Sequence, residues 1–346
     1  MIVVDIGPIH PTHPHLFADA IETLVILGDK GPFSKSDAFS LMNQTSTSEE
    51  DVIADVERDL DDDNHDDSLS TAEISESKQR KIDAAFAQFG YRERAFGCSY
   101  PFELDNDRNL ILKEEFHDGQ ITYAFLLCCA RLRSFGTKAA QTNLANKFED
   151  LCAIAIKGMV PPHAEVIQFG PTTAQRATFG ASMRDAIPKL AKHIGVPLAP
   201  RWEDVEETPQ GDGGIDLIAL ISLDGEASHT SESWTLTAQC AAHERASSWE
   251  RKVLESYRGL TKRLSFQHRP SNALFIPGAY RKTDGTWPVA TKDKDALLMD
   301  RVRIIHNIAN LTDSDTMCWG WLINTAERAL DLTLLEKQKL KVALNA

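Results

Sequence analysis

A glycine-rich turn that leads into an apolar run limits the folds open to this chain. Residues 211–216 read GDGGID, and residues 217–221 read LIALI. Glycine admits tight turns that β-branched residues do not, so residues 215–222 are predicted to form a buried strand that opens with an aspartate. Polar turn residues 224–232 and a second candidate strand at 234–240 complete a predicted hairpin. The sequence therefore predicts a sheet with Asp216 at a strand start and Gln239 and Cys240 at a strand end.

Helical patterns surround these strands. From residue 140 onward one helical face is apolar, and Glu149 is displaced from the centre of that apolar stripe. Helices are also predicted at 181–193, with Pro188 as a kink, and at 245–260, and a strand is predicted at 273–277. Residues 294–345 are predicted to be helical, with an apolar stripe formed by Leu297, Leu298, Val302, Ile305 and Ile308. The fold class is therefore α/β, with a domain over residues 136–346.

The first 135 residues are predicted to form a mainly helical module. Helices are indicated at 16–27, from Ser34 or Ser36 to Met42, and from Ser46 or Ser48 onward. A β-like segment at 91–96 would make this unit winged-helix-like or helix-turn-helix-like. The third helix would carry many carboxylates that repel phosphate, so a protein-interaction or packing module is favoured over DNA recognition. A short strand at 110–112 and a core helix at 120–134 lead into the second domain.

The negative charge of the chain is concentrated in one segment. The formal net charge is −14, yet residues 49–67 alone contain eleven carboxylates and one arginine. The remaining residues are only weakly acidic, so a nucleic-acid site elsewhere is compatible with the composition. Residues 61–78 are predicted to form an acidic loop, because they hold few large apolar side chains. A DNA-mimicking arm is the alternative interpretation of this acidic stretch.

Composition and missing motifs exclude several function classes. The apolar runs are much shorter than the ~20 residues that span a bilayer, and the N-terminus does not resemble a secretion signal, so a cytoplasmic protein is expected. The six cysteines form no C-x-x-C pair and are expected to be mostly core residues. Phosphate-loop, dinucleotide-binding, nucleophile-elbow and zincin motifs are absent. His10, His13 and His15 form a weak metal-like pattern that is better explained as a polar segment.

Three features follow one another in the sequence: a helical glutamate, G-D-G-G-I-D on one strand, and Q-C at the end of the next strand. In this order they resemble the core of the PD-(D/E)XK, or restriction-endonuclease-like, nucleases. The resemblance covers about residues 140–285 and fits the variant in which glutamine replaces the second acidic residue. It implies a mixed sheet flanked by helices. It also implies a metal site made by Glu149, Asp216, Gln239 and the backbone carbonyl of Cys240.

This resemblance implies Mg²⁺-dependent or Mn²⁺-dependent hydrolysis of DNA phosphodiester bonds, with RNA as an alternative substrate. The family's usual lysine, two residues after Gln239, is replaced here by Ala241. Arg245 and Lys252, on the predicted helix that follows, are candidates to supply the missing cation. Related domains serve in restriction and anti-phage defence. The alternative is a catalytically inactive nuclease fold that binds nucleic acid or a partner protein.

A basic stretch follows the second strand. Its cations are Arg258, Lys262, Arg263, His268, Arg269, Arg281 and Lys282, interleaved with Tyr257, Phe266 and Tyr280. Such a mixture is typical of a surface that follows a phosphate backbone. An ordinary solvated helix face explains it equally well. Further along, His306 is expected to be packed or on the surface, and Trp319 and Trp321 are expected to anchor the core.

Overall fold

The computed structural model describes residues 14–27, 31–44, 71–114, 118–132, 138–170, 173–180, 182–205, 214–223, 233–242, 259–287, 296–309 and 311. These residues divide into two compact units. The first unit contains the described residues up to Gln141 together with 278–287. The second contains those from Thr142 to Pro277 together with 296–309 and 311. The chain is therefore a mixed α/β protein with a helical unit and a sheet-containing unit.

The first unit is built from helices and one small hairpin. Its helices are α1 (Pro14–Leu27), α2 (Lys35–Gln44), α3 (Thr71–Phe96) and α4 (Asp118–Ala130). The strands β1 (Phe102–Leu104) and β2 (Leu110–Leu112) pair in antiparallel fashion. Helix α1 packs against both α3 and α4, and apolar side chains of all three are buried at these contacts. The predicted strand at 110–112 and the predicted core helix at 120–134 are thus confirmed, the latter with an end at Ala130.

A network of charged and phenolic groups lies inside this apolar core. Arg92 is fully buried and bonds to Asp19 at 2.8 Å and to Glu22 at 2.6 Å. The hydroxyls of Tyr100 and Tyr123 each donate to Glu22 at 2.7 Å. Burial alone would lower the pKa of Arg92, but Glu22, Tyr123 and Asp19 outweigh it and hold the pKa above its ordinary value. The network satisfies charges that would otherwise be very unfavourable in the core.

Three expectations for this unit require correction or lie outside the description. The β-like segment at 91–96 is instead the last part of α3, because Phe89, Arg92 and Phe96 continue one buried helical face. Residues 71–78 of the expected acidic loop are the first turns of the same helix. The winged-helix interpretation loses the strand on which it rested. The expected third helix from Ser46 or Ser48 and the remainder of the acidic stretch lie outside the described residues.

The second unit contains a five-stranded mixed sheet in the described part of the chain. Its strands are β3 (Glu165–Gln168), β4 (Leu217–Ile221), β5 (Trp234–Cys240), β6 (Ser271–Phe275) and β7 (Leu297–Met299), in that spatial order. Strand β4 runs antiparallel to both of its neighbours, β3 and β5, and β6 and β7 run parallel to β5. The predicted hairpin is confirmed, with Leu217 opposite Ala238.

Helices cover both faces of this sheet. Helix α7 (Met183–Ile194) begins after Ser182, whose hydroxyl accepts from the Asp185 N–H, and ends at Gly195 with a φ of 72°. The short helix α6 (Ala174–Phe179) precedes it. Buried residues of α7 pack with Ile167, Ile218 and Leu220 in one apolar cluster. Side chains alternate along a strand, so Gln168 lies on the opposite face, where it contacts α5 (Lys138–Lys157).

The end of the sheet differs from the sequence expectation. Leu297 and Leu298 were expected on a helix, but they belong to β7, and the helix begins only after Asp300 as α8 (Arg301–Ala309). The Asp300 carboxylate accepts from the Arg303 N–H at 3.2 Å and so caps this helix. Trp319 and Trp321 lie outside the described residues, whereas His306 is exposed as expected. Among the described helices, none is long and apolar enough to cross a membrane.

Candidate metal centre

Asp216 lies immediately before β4 and is held by its neighbours on both sides. Its backbone carbonyl accepts from the Phe169 N–H at 2.7 Å, and its N–H donates to the Ala238 carbonyl at 3.1 Å. The Cys240 N–H donates to the Asp216 carboxylate at 2.7 Å. Gly214 precedes this residue with a φ of 77°, which favours glycine there and confirms part of the predicted turn. The aspartate is thus fixed between β3 and β5.

Gln239 is the next residue along β5 after the Leu217–Ala238 pair, so it lies across from Asp216. Its side chain is only 3% exposed. The Oε1 atom is buried and accepts no hydrogen bond from any residue that the structure describes. Buried amide oxygens nearly always have a donor or a cation as partner. A buried amide oxygen without a donor, on the residue opposite Asp216, therefore fits the ligand role that the resemblance implies.

Glu149 lies on α5, half-buried, where the helix approaches the end of β3. A Cβ added to Gly170 would lie only 3.1 Å from Glu149 Oε2, so the carboxylate rests almost directly on the glycine backbone. The side chain of the adjacent Asp150 accepts from Gln168 Nε2 at 2.9 Å. This turn of α5 is therefore pinned to β3 at two consecutive residues.

Two buried thiols are affected by the negative charges of both Glu149 and Asp216. The Cys152 and Cys240 side chains hydrogen-bond to each other, across α5 and β5. Burial raises the pKa of both thiols, and the negative charges of Glu149 and Asp216 raise both further. Both cysteines consequently stay protonated and are weak metal ligands at neutral pH. The contribution expected from Cys240 is accordingly its backbone carbonyl, not its sulfur.

The donor set of this site is chemically suited to a hard cation. Carboxylate, amide and carbonyl oxygens are the ligands that Mg²⁺ and Mn²⁺ prefer. Within the described ranges there is no group of three or more His, Cys, Asp or Glu side chains arranged for a metal. A coordination shell here would draw on Gln239 and a backbone oxygen as well as on the two carboxylates. The orphaned Oε1 atom makes the residues present a fit for such an ion.

The structure describes the position of the family's usual lysine, but not the two residues expected to replace that lysine. Ala241 is fully buried and its N–H donates to the Phe275 carbonyl at 2.8 Å, so this position is an ordinary part of the sheet core. Arg245 and Lys252, the residues expected to replace the lysine, lie outside the described residues. Their orientation toward Asp216 stays a prediction.

Part of the basic stretch does not form the expected surface. The Arg263 side chain is buried and donates to the Gly259 carbonyl at 2.7 Å, and Tyr280 is buried against His15. Arg281 stacks on Trp287 at 3.7 Å from the ring centroid and donates to the Gly285 carbonyl. Lys262, His268, Arg269 and Lys282 are exposed. The prediction of a continuous phosphate-binding surface that includes Arg263 and Tyr280 is therefore wrong.

The residues that support the site carry no motif of their own in the sequence. Gly170 lies beside Glu149, and Cys152 hydrogen-bonds to Cys240. Gln168 and Thr173 hold the backbone around Gly170, yet none of these four residues belongs to the motif. The spacing of Cys152 from Glu149 on a helix could have indicated that they share a face. Comparisons with protein-family models, curated proteins and solved structures found no match to this chain.

Proposed function

We propose that this protein is a Mg²⁺-dependent nuclease of the PD-(D/E)XK type that hydrolyses phosphodiester bonds of DNA in the cytoplasm. The observation that carries the proposal is the convergence of four residues at one end of the β4–β5 hairpin. Asp216 is held there by Cys240, the buried Oε1 of Gln239 has no partner in the described chain, and Glu149 approaches from α5. These are the ligand types that the resemblance requires, in the expected order.

The architecture supports the same assignment. A mixed sheet with helices on both faces is what a restriction-endonuclease-like fold requires, and the helix with Glu149 directly precedes the sheet. The hairpin that holds Asp216 and Gln239 is central in the strand order. Rigid elements on three sides fix the ligands, which favours catalysis because misplacement of a reacting group is expensive.

Each side chain has a defined task in this proposal. Bound at this site, Mg²⁺ would polarise the phosphate and make a bound water more acidic. Asp216 binds the cation in an orientation set by the Cys240 N–H, and Gln239 contributes a neutral oxygen that leaves the site less negative than a third carboxylate would. Glu149 completes the acidic side of the site. Arg245 or Lys252 stabilises charge that develops at the phosphate, in place of the absent lysine.

A catalytically silent nuclease fold is the second candidate, and Ala241 favours it. Its buried methyl group leaves no cation at the family's usual position. In that case the domain binds nucleic acid or a partner protein without cutting, and the N-terminal unit is the proposed contact for a partner subunit. The setting we propose for either activity is restriction or anti-phage defence, by analogy with the family. RNA is the alternative substrate.

A cleavage assay separates these candidates. Supercoiled plasmid, linear duplex, single-stranded DNA and RNA are incubated with Mg²⁺ or Mn²⁺ and with wild type, Asp216→Asn or Asp204→Asn. The last variant is a matched control, because Asp204 is an exposed aspartate of the same unit. Metal-dependent cleavage that is lost only in Asp216→Asn supports the nuclease. Binding without cleavage supports the silent fold, and equal cleavage by all three proteins refutes the assigned site.

A further inference from the structure

The two residues that follow β3 lie against Asp216 and Glu149, the acidic residues of the candidate metal centre. Phe169 donates its N–H to the backbone carbonyl of Asp216 at 2.7 Å. The next residue, Gly170, lies under the Glu149 carboxylate, with only 3.1 Å available between Oε2 and a Cβ. Two consecutive residues therefore contact the two acidic residues. Phe169 does so through its amide, and Gly170 leaves room for the Glu149 carboxylate because it has no side chain.

The same backbone is fixed by Thr173. Its hydroxyl lies 2.9 Å from the carbonyl oxygens of both Gln168 and Gly170, to which it donates. It also accepts from the Arg176 N–H at 3.1 Å and so caps α6. One hydroxyl thus ties the strand end, the glycine and the following helix together. A backbone held at both sides in this way cannot easily shift to accommodate a bulkier residue.

The adjacent turn of α5 is fixed by a second set of contacts. Gln168 Nε2 donates to Asp150 Oδ1 at 2.9 Å, and Lys147 Nζ donates to Asp150 Oδ2 at 2.9 Å. Asp150 follows Glu149 directly, so these bonds restrict the rotation and translation of the helix at the ligand. Neither carboxylate oxygen of Asp150 is therefore a candidate for the metal; the residue holds its neighbour in place.

We propose that Gln168, Phe169, Gly170 and Thr173, here called the β3 brace, set the separation between Glu149 and Asp216. The β3 brace is a positioning element, because it acts through the ligands and not on the substrate. Gly170 is its decisive residue, since any side chain there meets Oε2 of Glu149. This inference rests on the proposed metal-dependent function. Groups that orient metal ligands typically change metal affinity or activity by about 10–100-fold when they are altered.

The test is Gly170→Ala, with Gly278→Ala as the matched control because a Cβ at Gly278 would meet nothing within 4 Å. Mn²⁺ binding is measured by isothermal titration calorimetry, and cleavage of plasmid is measured as a function of Mg²⁺ concentration. We expect Gly170→Ala to raise the dissociation constant for Mn²⁺ and the half-saturating Mg²⁺ concentration by about 10-fold. Its melting temperature should match that of the control, since only one carboxylate has to move.

A second pair of variants separates positioning from general stability. Thr173→Val removes the hydroxyl that fixes the brace, whereas Thr173→Ser retains it. We expect weaker Mn²⁺ binding in the valine variant and restored binding in the serine variant. If wild type binds Mn²⁺ but Gly170→Ala and Thr173→Val bind it equally well, the positioning role is overturned while the metal centre stands. If wild type itself binds no Mn²⁺, both the proposed function and the β3 brace are refuted.

Discussion

The buried oxygen of Gln239 makes a prediction in which stability and activity change in opposite directions. Gln239→Met replaces the amide by an unbranched side chain of similar length without a polar atom. A buried acceptor without a donor costs about 1–3 kcal/mol, and imperfect packing of a swap of similar volume costs up to about 1.5 kcal/mol. We therefore expect the free energy of unfolding in the absence of metal to stay equal to that of wild type or to rise by about 1 kcal/mol.

Activity and metal response should fall in the same variant. Loss of one ligand reduces metal affinity or activity by about 10–100-fold. A cation at 100 times its dissociation constant stabilises the folded state by about 2.7 kcal/mol, so wild type should gain stability when Mg²⁺ is added. Gln239→Met should gain much less at the same concentration. Urea denaturation with and without Mg²⁺, together with plasmid cleavage, measures both quantities on one preparation.

The control is another buried glutamine. Gln120 donates from Nε2 to the Tyr100 carbonyl at 3.3 Å, so Gln120→Met loses a hydrogen bond and should unfold more easily by about 1 kcal/mol, with its Mg²⁺ response unchanged. The reasoning is refuted if Gln239→Met loses more than about 2 kcal/mol of stability while it keeps its cleavage rate. That outcome would mean that the side chain is structural and that its oxygen plays no part in metal binding.

Three further predictions concern stability. Gly158→Ala should destabilise by about 2–3 kcal/mol in urea denaturation, because its Cβ would lie 1.9 Å from the Asn307 carbonyl oxygen, whereas Gly31→Ala, with open space around it, should not. Arg92→Met should lower stability by about 3–5 kcal/mol, since it leaves two buried carboxylates without their cation; an unchanged denaturation midpoint would contradict this. Hydrogen bonds from Asn109 hold the pKa of Asp105 below its ordinary 3.8, so the deprotonated form stabilises the β1–β2 hairpin above that pH. The stability difference between wild type and Asp105→Ala should therefore shrink as the pH falls through the depressed pKa, and a difference that grows on acidification would be inconsistent with it.

Local patterns predicted the central elements of the second unit well. Strand β5 begins and ends where the sequence predicts, at Trp234 and Cys240, because apolar residues alternate with Thr235, Thr237 and Gln239 along this segment. Helix α5 was predicted from an apolar stripe that the structure buries, with Glu149 at its edge. Asp216 and Gln239 could be brought together from sequence alone, since a hairpin places a strand start opposite a strand end.

The errors arose where tertiary contacts outweighed local preference. Residues 91–96 contain aromatic residues, which favour strands. Arg92 interrupts the apolar pattern there, so the sequence does not reveal a buried helical face. The charge of Arg92 is neutralised by Asp19 and Glu22, which are distant in the sequence. Residues 297–299 are predicted as part of the helix that follows, because three apolar residues fit a strand pattern and a helix pattern equally well. Asp300, as a capping residue, was the signal that the helix begins after it. The β3 brace involves contacts between separate elements and had no local signal.

Residues 278–287 belong to the first unit although they follow much of the second unit in the sequence, and this affects the order in which the chain can fold during translation. Tyr280 packs against His15, and the Arg281 carbonyl accepts from Gln88, so the first unit needs residues that lie between two strands of the second. The helices α1 to α4 leave the ribosome early, yet their core is complete only after about residue 287 has emerged. A fragment ending near residue 135 would expose those contacts and should be less soluble than the full chain. We therefore expect the first unit not to complete its fold before the second has been largely synthesised, although N-terminal domains generally fold first.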